Sequence, residues 1–109
     1  MTDHIKVFQP SGVLDATKSQ EFREEIMESL ENQPKIVLVD LKDITFMDSS
    51  GLGALVLAFK NLRAKNIKLV LCSINEQVRI LFDLTGMDKV FEIFSNQDEF
   101  HQSVVSQIA

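Results

Sequence analysis

The sequence predicts an α/β fold with a largely parallel, mixed sheet of about four strands and about four helices. A run rich in β-branched residues, Ile36–Val39, and a second apolar run, Lys68–Cys72, alternate along the chain with amphipathic helical segments. Strands that alternate with helices are joined by crossover connections, which leave neighbouring strands parallel. The 109 residues are close to the commonest size of one domain, so we expect residues 1–109 to form a single domain.

The first part of the chain is predicted to contain a strand at Ile5–Phe8, a bend at Pro10–Gly12 and then a helix. Thr17–Gln20 has the spacing of a capping box, in which two residues satisfy free N–H groups at a helix start. Pro34 ends this helix because proline cannot continue the backbone hydrogen-bond pattern. The buried side of the helix is marked by apolar residues at four-residue intervals: Phe22, Ile26 and Leu30.

The rest of the chain repeats the alternation. Further strands are predicted at Ile36–Val39, Lys68–Cys72 and Val90–Phe94. Further helices are predicted after Asp48, from the capping box Ser73–Glu76 to Gly86, and from Ser95. Leu81, Phe82 and Leu84 cannot all face the core from one helical stripe, so we expect exposed apolar surface on that helix.

The composition argues against several classes of function. The formal net charge is −5, from 16 acidic and 11 basic residues, which argues against a nucleic-acid partner. The N-terminus has no export signal, and the longest apolar run, Leu52–Phe59, is far shorter than a membrane span. Cys72 is the single cysteine, so we expect no internal disulfide and a small buried hydrophobe at this position. We therefore expect a cytoplasmic protein without direct membrane insertion.

The segment Phe46–Gly53 combines a carboxylate, two hydroxyls and two glycines. It lacks the Gly-Lys-Ser/Thr of a P-loop, the third glycine of a dinucleotide-binding loop and the G-x-S-x-G of a nucleophile elbow. A serine nucleophile also needs a base, and the histidines, His4 and His101, lie near the chain ends without metal-ligand spacing. The sequence thus predicts no catalytic residue, no metal, no cofactor and no enzyme activity.

The same motif suits the start of a helix. Asp48, Ser49 and Ser50 are all favoured N-cap residues, and a cap contributes about 1 kcal/mol. Gly51 and Gly53 each cost about 1 kcal/mol in a helix relative to alanine, so we interpret them as room for a partner's close approach. A hydroxyl at a helix N-terminus is also a favourable place for a phosphate, because the N–H groups and the dipole stabilise the anion. A simple helix cap and a phosphorylation site both remain open on this reasoning.

Two segments that contain or precede this motif, Ile36–Leu41 and Ile44–Gly53, closely resemble the core of STAS domains, in particular the bacterial anti-sigma factor antagonists. Gly12–Asp15 is similar to the G-x-L-D loop of that family, and Cys72–Met87 is similar to its third-helix region. The resemblance covers nearly the whole chain. Members of the family commonly have an extra strand before the one that corresponds to Ile5–Phe8, and we expect this strand to be missing here.

The resemblance implies a regulator that is switched by phosphorylation. In the family, the serine directly after the aspartate, here Ser49, is phosphorylated by an anti-sigma factor that is also a serine kinase with a histidine-kinase-like ATPase fold. The unphosphorylated form binds that kinase and releases its sigma factor or another output partner. A PP2C-type serine phosphatase removes the phosphate and restores binding.

We expect the residues around Ser49 to shape the phosphorylation site or to contact the partner. We expect the phosphorylation site to be shaped by Asp48, Ser50, Gly51 and Gly53. Four residues are candidates for partner contact: Leu14, Asp15, Met47 and Leu52. The alternative is a STAS module of another class, either a transporter-associated subunit or a domain that binds a small ligand or lipid and is never phosphorylated.

Overall fold

The computed structural model of the protein describes residues 4–28, 30 and 33–108. The elements along this part of the chain are β1 (Ile5–Phe8), β2 (Ser11–Leu14), α1 (Ala16–Glu28), β3 (Ile36–Asp40), β4 (Asp43–Met47), α2 (Ser49–Ala64), β5 (Lys68–Cys72), α3 (Glu76–Thr85), β6 (Glu92–Phe94) and α4 (Gln97–Ile108). A 3-10 turn at Met87–Lys89 leads from α3 towards β6. The position of the family's extra N-terminal strand lies outside the described residues. None of the described helices is both long enough and apolar enough to cross a membrane.

Four strands form the main sheet in the order β1-β3-β5-β6, and each neighbouring pair is parallel. Leu38 in the middle of β3 pairs with Val7 of β1 on one side and Val70 of β5 on the other. The central strands are buried over Val37–Val39 and Leu69–Cys72, as expected for strands that are covered on both faces. The predicted α/β class and four-stranded sheet are therefore confirmed, and the sheet is parallel throughout its described strands.

The helices cover the two faces of the main sheet unequally. Val37 and Val39 belong to the larger core cluster, which contains residues of α1, α2 and α3. Leu38 lies between them and faces the opposite side, where Phe100 of α4 packs on the sheet. Cys72 belongs to this smaller cluster and is fully buried, and burial raises the pKa of its thiol. The prediction of a small buried hydrophobe at Cys72 is confirmed.

A second sheet pairs β2 with β4 in parallel and was not among the predicted strands. β2 follows β1 after a break at Pro10, which has no N–H to donate to a ladder. The bend predicted at Pro10–Gly12 is wrong in its second half, because Ser11 and Gly12 already belong to β2. Gly12 has a φ of 86°, and the register with β4 shifts between Gly12 and Val13. A four-residue strand with this irregularity has no clear hydrophobic alternation, so the pattern did not reveal it.

Two helix starts are displaced from their predicted positions. At the start of α1, the N–H and the hydroxyl of Thr17 donate to Asp15 Oδ1, at 3.0 and 2.6 Å. At the start of α3, Val78 N donates to Asn75 Oδ1 at 2.9 Å, and Asn75 is the N-cap. The capping boxes led by Thr17 and Ser73 are therefore wrong. Aspartate and asparagine cap at least as well as threonine and serine, so each neighbouring side chain takes the cap position.

One side of α3 exposes apolar surface. Phe82 is fully buried in the larger core cluster, whereas Leu84 is 82% exposed. Ile80 lies one helical turn before Leu84 and is also exposed. The expectation that this helix cannot bury all of its apolar residues is confirmed.

Candidate functional site

The candidate site is the junction between β4 and α2. Met47 ends β4 and is fully buried, and Asp48 follows in an extended conformation with φ −108° and ψ −172°. Asp48 Oδ1 accepts a hydrogen bond from Gly51 N at 3.0 Å, and Asp48 N donates to Leu14 O at 3.3 Å. Asp48 is the N-cap of α2, so the predicted capped helix start at this motif is confirmed.

The two serines occupy the first turn of α2, and both are exposed. The Ser50 carbonyl accepts a hydrogen bond from the Ser19 hydroxyl at 3.1 Å, and the same hydroxyl donates to Asp15 O at 2.7 Å. The Ser49 hydroxyl has no hydrogen-bond partner within residues 4–28, 30 and 33–108. Because α2 is 16 residues long, the positive end of its dipole favours an anion at this turn.

The two glycines of the motif have different surroundings. A Cβ on Gly51 would collide with the backbone carbonyl of Leu14, so only glycine lets α2 approach β2 this closely. A Cβ on Gly53 would meet no atom within 4 Å. The interpretation that both glycines leave room for a partner is therefore wrong for Gly51, whose space is filled by the protein's own backbone.

The end of β2 and the loop that follows it lie against the start of α2. The carbonyl of Leu14, the last residue of β2, is the acceptor for Asp48 N, which ties this end of the strand to the N-cap. The hydrogen bond from the Thr17 hydroxyl holds the pKa of the Asp15 carboxyl below its ordinary value. Asp15 is therefore ionised at neutral pH, and it directly follows Leu14, whose carbonyl accepts from Asp48 N.

Three of the four candidates for partner contact have buried side chains. Leu14, Met47 and Leu52 all belong to the larger core cluster, because each points towards the sheet and helices beneath the site. Their side chains offer no contact surface in this conformation, which corrects the role expected of them. Asp15 is half-buried and remains accessible.

The exposed apolar surface next to the site comes from two other residues. Val13 is 42% exposed and Phe46 is 45% exposed, and the two are register partners across β2 and β4. They precede Leu14 and Met47, so the alternation of a strand places them outward while their successors point inward. Recognition of β2 and β4 as strands would have identified both residues from the sequence.

Two polar residues at the start of α3, its N-cap Asn75 and Gln77 of its first turn, hold β4 and were not singled out from the sequence. Gln77 makes two hydrogen bonds to the backbone of Met47, and Asn75 donates one to Ile44 O at 3.0 Å. Each partner lies at least 30 positions away along the chain. No local sequence pattern indicates such a contact, so the contact could be identified only from the structure.

Two chemical features of the site follow from its described residues. No group of three or more His, Cys, Asp or Glu side chains in the described chain is arranged to hold a metal ion. The exposed Ser49 hydroxyl lies at a helix N-terminus that can stabilise an added phosphate. Asp48 and Asp15 supply negative charge nearby, so a phosphate here would strongly change the local potential.

Comparison with known proteins places the chain in a family. Residues 1–100 match the STAS domain family. The chain is 33% identical over 100 residues to the anti-sigma-B factor antagonist of Listeria monocytogenes, covering 92% of this chain and 87% of that protein. It is 31% identical over 94 residues to the anti-sigma F factor antagonist of Paenibacillus polymyxa, covering 85% of this chain and 80% of that protein.

Solved structures share the fold. The anti-sigma factor antagonist SpoIIAA in its unphosphorylated form matches with a TM-score of 0.79 at 21% identity, over 97% of this chain and 92% of that one. The phosphorylated form of SpoIIAA from Bacillus matches with a TM-score of 0.71 at 21% identity, over 95% and 94%. The STAS domain of a SulP transporter from Vibrio cholerae matches with a TM-score of 0.78 at 19% identity, over 96% and 84%, so the fold is common to both classes. With residues 1–100 matched and relatives above 30% identity, the chain belongs to the STAS domain family.

Proposed function

We propose that this protein is an anti-sigma factor antagonist whose binding is switched by phosphorylation of Ser49. The observation that carries the proposal is the exposed Ser49 hydroxyl directly after the Asp48 cap, unbonded within the described chain. The names of the Listeria and Paenibacillus relatives support the antagonist role. A phosphorylated form of SpoIIAA supports a phosphate on this fold. The protein acts by binding in the cytoplasm and has no enzyme activity of its own.

The partner of the unphosphorylated form is an anti-sigma serine kinase, and binding releases the sigma factor that the kinase holds. The surface around Ser49 suits such a partner because it combines an apolar pair with charge. Val13 and Phe46 supply exposed apolar area, and the accessible Asp15 supplies a carboxylate. Aromatic side chains are common anchors of protein interfaces, so we assign Phe46 the largest share of the contact.

Phosphorylation ends this interaction through charge and desolvation. A phosphoserine carries about −1.5 to −2 charges at pH 7, and here it lies next to Asp48 on a protein of net charge −5. A neutral serine can be buried against a partner at little cost, whereas a dianion loses its hydration and repels acidic groups. The N-terminal dipole of α2 stabilises the same phosphate. The folded protein therefore tolerates this modification, whereas the interface with the kinase does not.

Ser49 is the phosphoacceptor and Ser50 shapes the site. Both hydroxyls are exposed, but the Ser50 backbone is anchored to α1 through the Ser19 hydroxyl. Ser49 directly follows the Asp48 cap, and no side chain of residues 4–28, 30 and 33–108 tethers it in this way. Gly53 leaves open space on the first turns of α2, which favours close approach of a kinase to Ser49.

The test uses the histidine-kinase-like serine kinase from the organism that encodes this chain. The protein is incubated with this kinase and ATP, and the phosphorylated residue is identified by peptide mass mapping. We expect one phosphate on Ser49, none on Ser49→Ala, and wild-type labelling of Ser50→Ala. Phosphate found on another residue, with Ser49→Ala still accepting it, contradicts the assignment.

A binding measurement tests the switch itself. By calorimetry, Ser49→Ala should bind the kinase as tightly as the unmodified protein, and the phosphorylated protein should bind at least about tenfold more weakly. A PP2C-type phosphatase should restore the original affinity. Equal affinity of both forms, or co-purification of the protein with a membrane permease instead of a soluble kinase, would favour the transporter-associated alternative.

A further inference from the structure

The strand that leads to Ser49 is held on one side by another strand and on its other side by two amides. β4 pairs with β2, and two side chains from the start of α3 bond its backbone from elsewhere. Gln77 Nε2 donates to Met47 O at 2.7 Å, and Met47 N donates to Gln77 Oε1 at 2.9 Å. Asn75 Nδ2 donates to Ile44 O at 3.0 Å. The two amides therefore act in place of a third strand.

The Gln77 contact depends on the chemistry of a primary amide. This group carries a donor and an acceptor in one plane, as a peptide group does, so it can bond both the N–H and the C=O of a single residue. A carboxylate of the same shape only accepts, and it would place a negative oxygen against the Met47 carbonyl. A methionine of similar length makes neither bond. Gln77→Glu keeps the shape of the side chain but loses the donated hydrogen bond, and Gln77→Met keeps a similar length but loses both hydrogen bonds. The two variants thus separate the effect of hydrogen bonding from that of side-chain shape.

Met47 lies directly before the cap and two positions before Ser49. Its carbonyl belongs to the peptide plane that connects to Asp48, so the orientation of this plane sets the direction in which the chain enters α2. Asp48 itself makes three further hydrogen bonds: its N–H donates to Leu14 O, its Oδ1 accepts from Gly51 N, and its carbonyl accepts from Leu52 N. Gln77 supplies an anchor on the opposite side of the strand.

We infer that Gln77 is a positioning residue for phosphorylation of Ser49, an inference that rests on the proposed function. Phosphoryl transfer depends on the alignment of the attacking oxygen with the phosphorus, and a small displacement lowers the rate steeply. Gln77 does not touch the hydroxyl. It holds the Met47 peptide, and through Asp48 it sets the place from which the Ser49 oxygen attacks.

The experiment is single-turnover phosphorylation by the same serine kinase with ATP, at increasing concentrations of excess kinase. The matched control is Asn75→Asp, which makes the same amide-to-carboxylate change two positions earlier and retains a capping oxygen for Val78 N. Gln77→Glu and Gln77→Met should lower the maximal rate about tenfold or more and leave the half-saturating kinase concentration within about threefold. Asn75→Asp should retain the wild-type maximal rate within about twofold.

Each other outcome overturns the inference. An equal fall in the maximal rate of Asn75→Asp means that β4 is weakened as a whole. A fall in the maximal rate of Gln77→Glu alone means that the added charge is responsible. If wild-type protein reacts at Ser49 and Gln77→Met reacts at the same rate, the positioning role fails while the proposed function stands. If wild-type protein takes no phosphate, the proposed function fails and the role of Gln77 fails with it. Amide hydrogen exchange of unmodified protein adds a measurement that needs no variant, because exchange of Met47 N–H at the rate of an unprotected amide would refute the contact.

Discussion

The two sheets of this protein are stabilised in different ways. In the main sheet, β3 and β5 are buried on both faces, so their stability comes mainly from apolar burial. In the small sheet, Leu14 and Met47 are buried on one side, while Val13 and Phe46 on the other side are exposed. A strand that is buried on one face alone has fewer packing contacts and relies more on its neighbours' backbones and amides. The exposed face of the small sheet is available to a partner. Substitutions in the two sheets should therefore have different consequences.

The largest effect is expected in the main sheet. Leu71→Ala removes a fully buried side chain from β5 and should lower the free energy of unfolding by about 2–5 kcal/mol. The control is Leu84→Ala, which removes a leucine that is already exposed and should change stability by less than about 0.5 kcal/mol. Urea unfolding measures both. Similar losses in the two variants would mean that the main sheet does not depend on buried apolar contacts.

The second effect concerns the contact between α2 and the small sheet. Gly51→Ala should lower the free energy of unfolding by about 1–3 kcal/mol, because its Cβ collides with the Leu14 carbonyl and α2 must move. Gly53→Ala has open space and should raise stability by about 0.5–1 kcal/mol. Thermal or urea unfolding of the pair gives the comparison. If both variants are stabilised, α2 does not need its close approach to β2.

A third effect should appear mainly in binding. Phe46→Ala removes a ring that is 45% exposed and paired across the strands with Val13, so the free energy of unfolding should fall by only about 1 kcal/mol. Affinity for the serine kinase should fall about tenfold or more, because aromatic anchors dominate interfaces. Val90→Ala is the control, since Val90 is similarly exposed but precedes β6, at the opposite end of the strands. Equal calorimetric affinities of Phe46→Ala and wild type would exclude this face as the contact.

The smallest effect is a pH dependence at the loop before α1. The pKa of Asp15 is lowered in the folded state, mainly by the Thr17 hydroxyl, so its contribution to stability is present above the ordinary value of 3.8 and is lost as pH falls through the folded pKa. Thr17→Val should therefore be less stable than wild type at neutral pH, and the difference should shrink at about pH 2. Thr17→Ser keeps the hydroxyl and should follow wild type. A difference that grows in acid would contradict the assigned bond.

The sequence was sufficient for features that depend on neighbouring residues or on long apolar runs. The buried strands β3 and β5 were visible as apolar runs, and the cap at Asp48 was visible as a local motif. β2 was not predicted because Pro10 and Gly12 interrupt the pattern within a few residues. β4 has the same length as β3 and β5, but its outward Phe46 is as apolar as its inward neighbour Met47, so no alternation marks its faces.

The candidate site shows the same limit. Ser49 was identified from the motif and a family resemblance, and both depend on residues close in sequence. The burial of Met47 and the collision at Gly51 depend on how β2, β4 and α2 pack, which local sequence does not encode. The Gln77 contact crosses 30 positions, and no residue near Gln77 in the sequence indicates its partner. Its role could be inferred only from three-dimensional geometry.

The outward position of Val13 and Phe46 has a consequence for how such proteins diversify. Neither side chain supports the core cluster, so we expect both positions to accept substitutions without unfolding the domain. A cell with several duplicated copies of this domain can therefore keep one scaffold and one phosphorylation chemistry while each copy acquires its own partner. Few surface substitutions would then be needed to separate parallel signalling pathways. These substitutions would reduce binding to the partners of the other copies and would leave the fold unchanged.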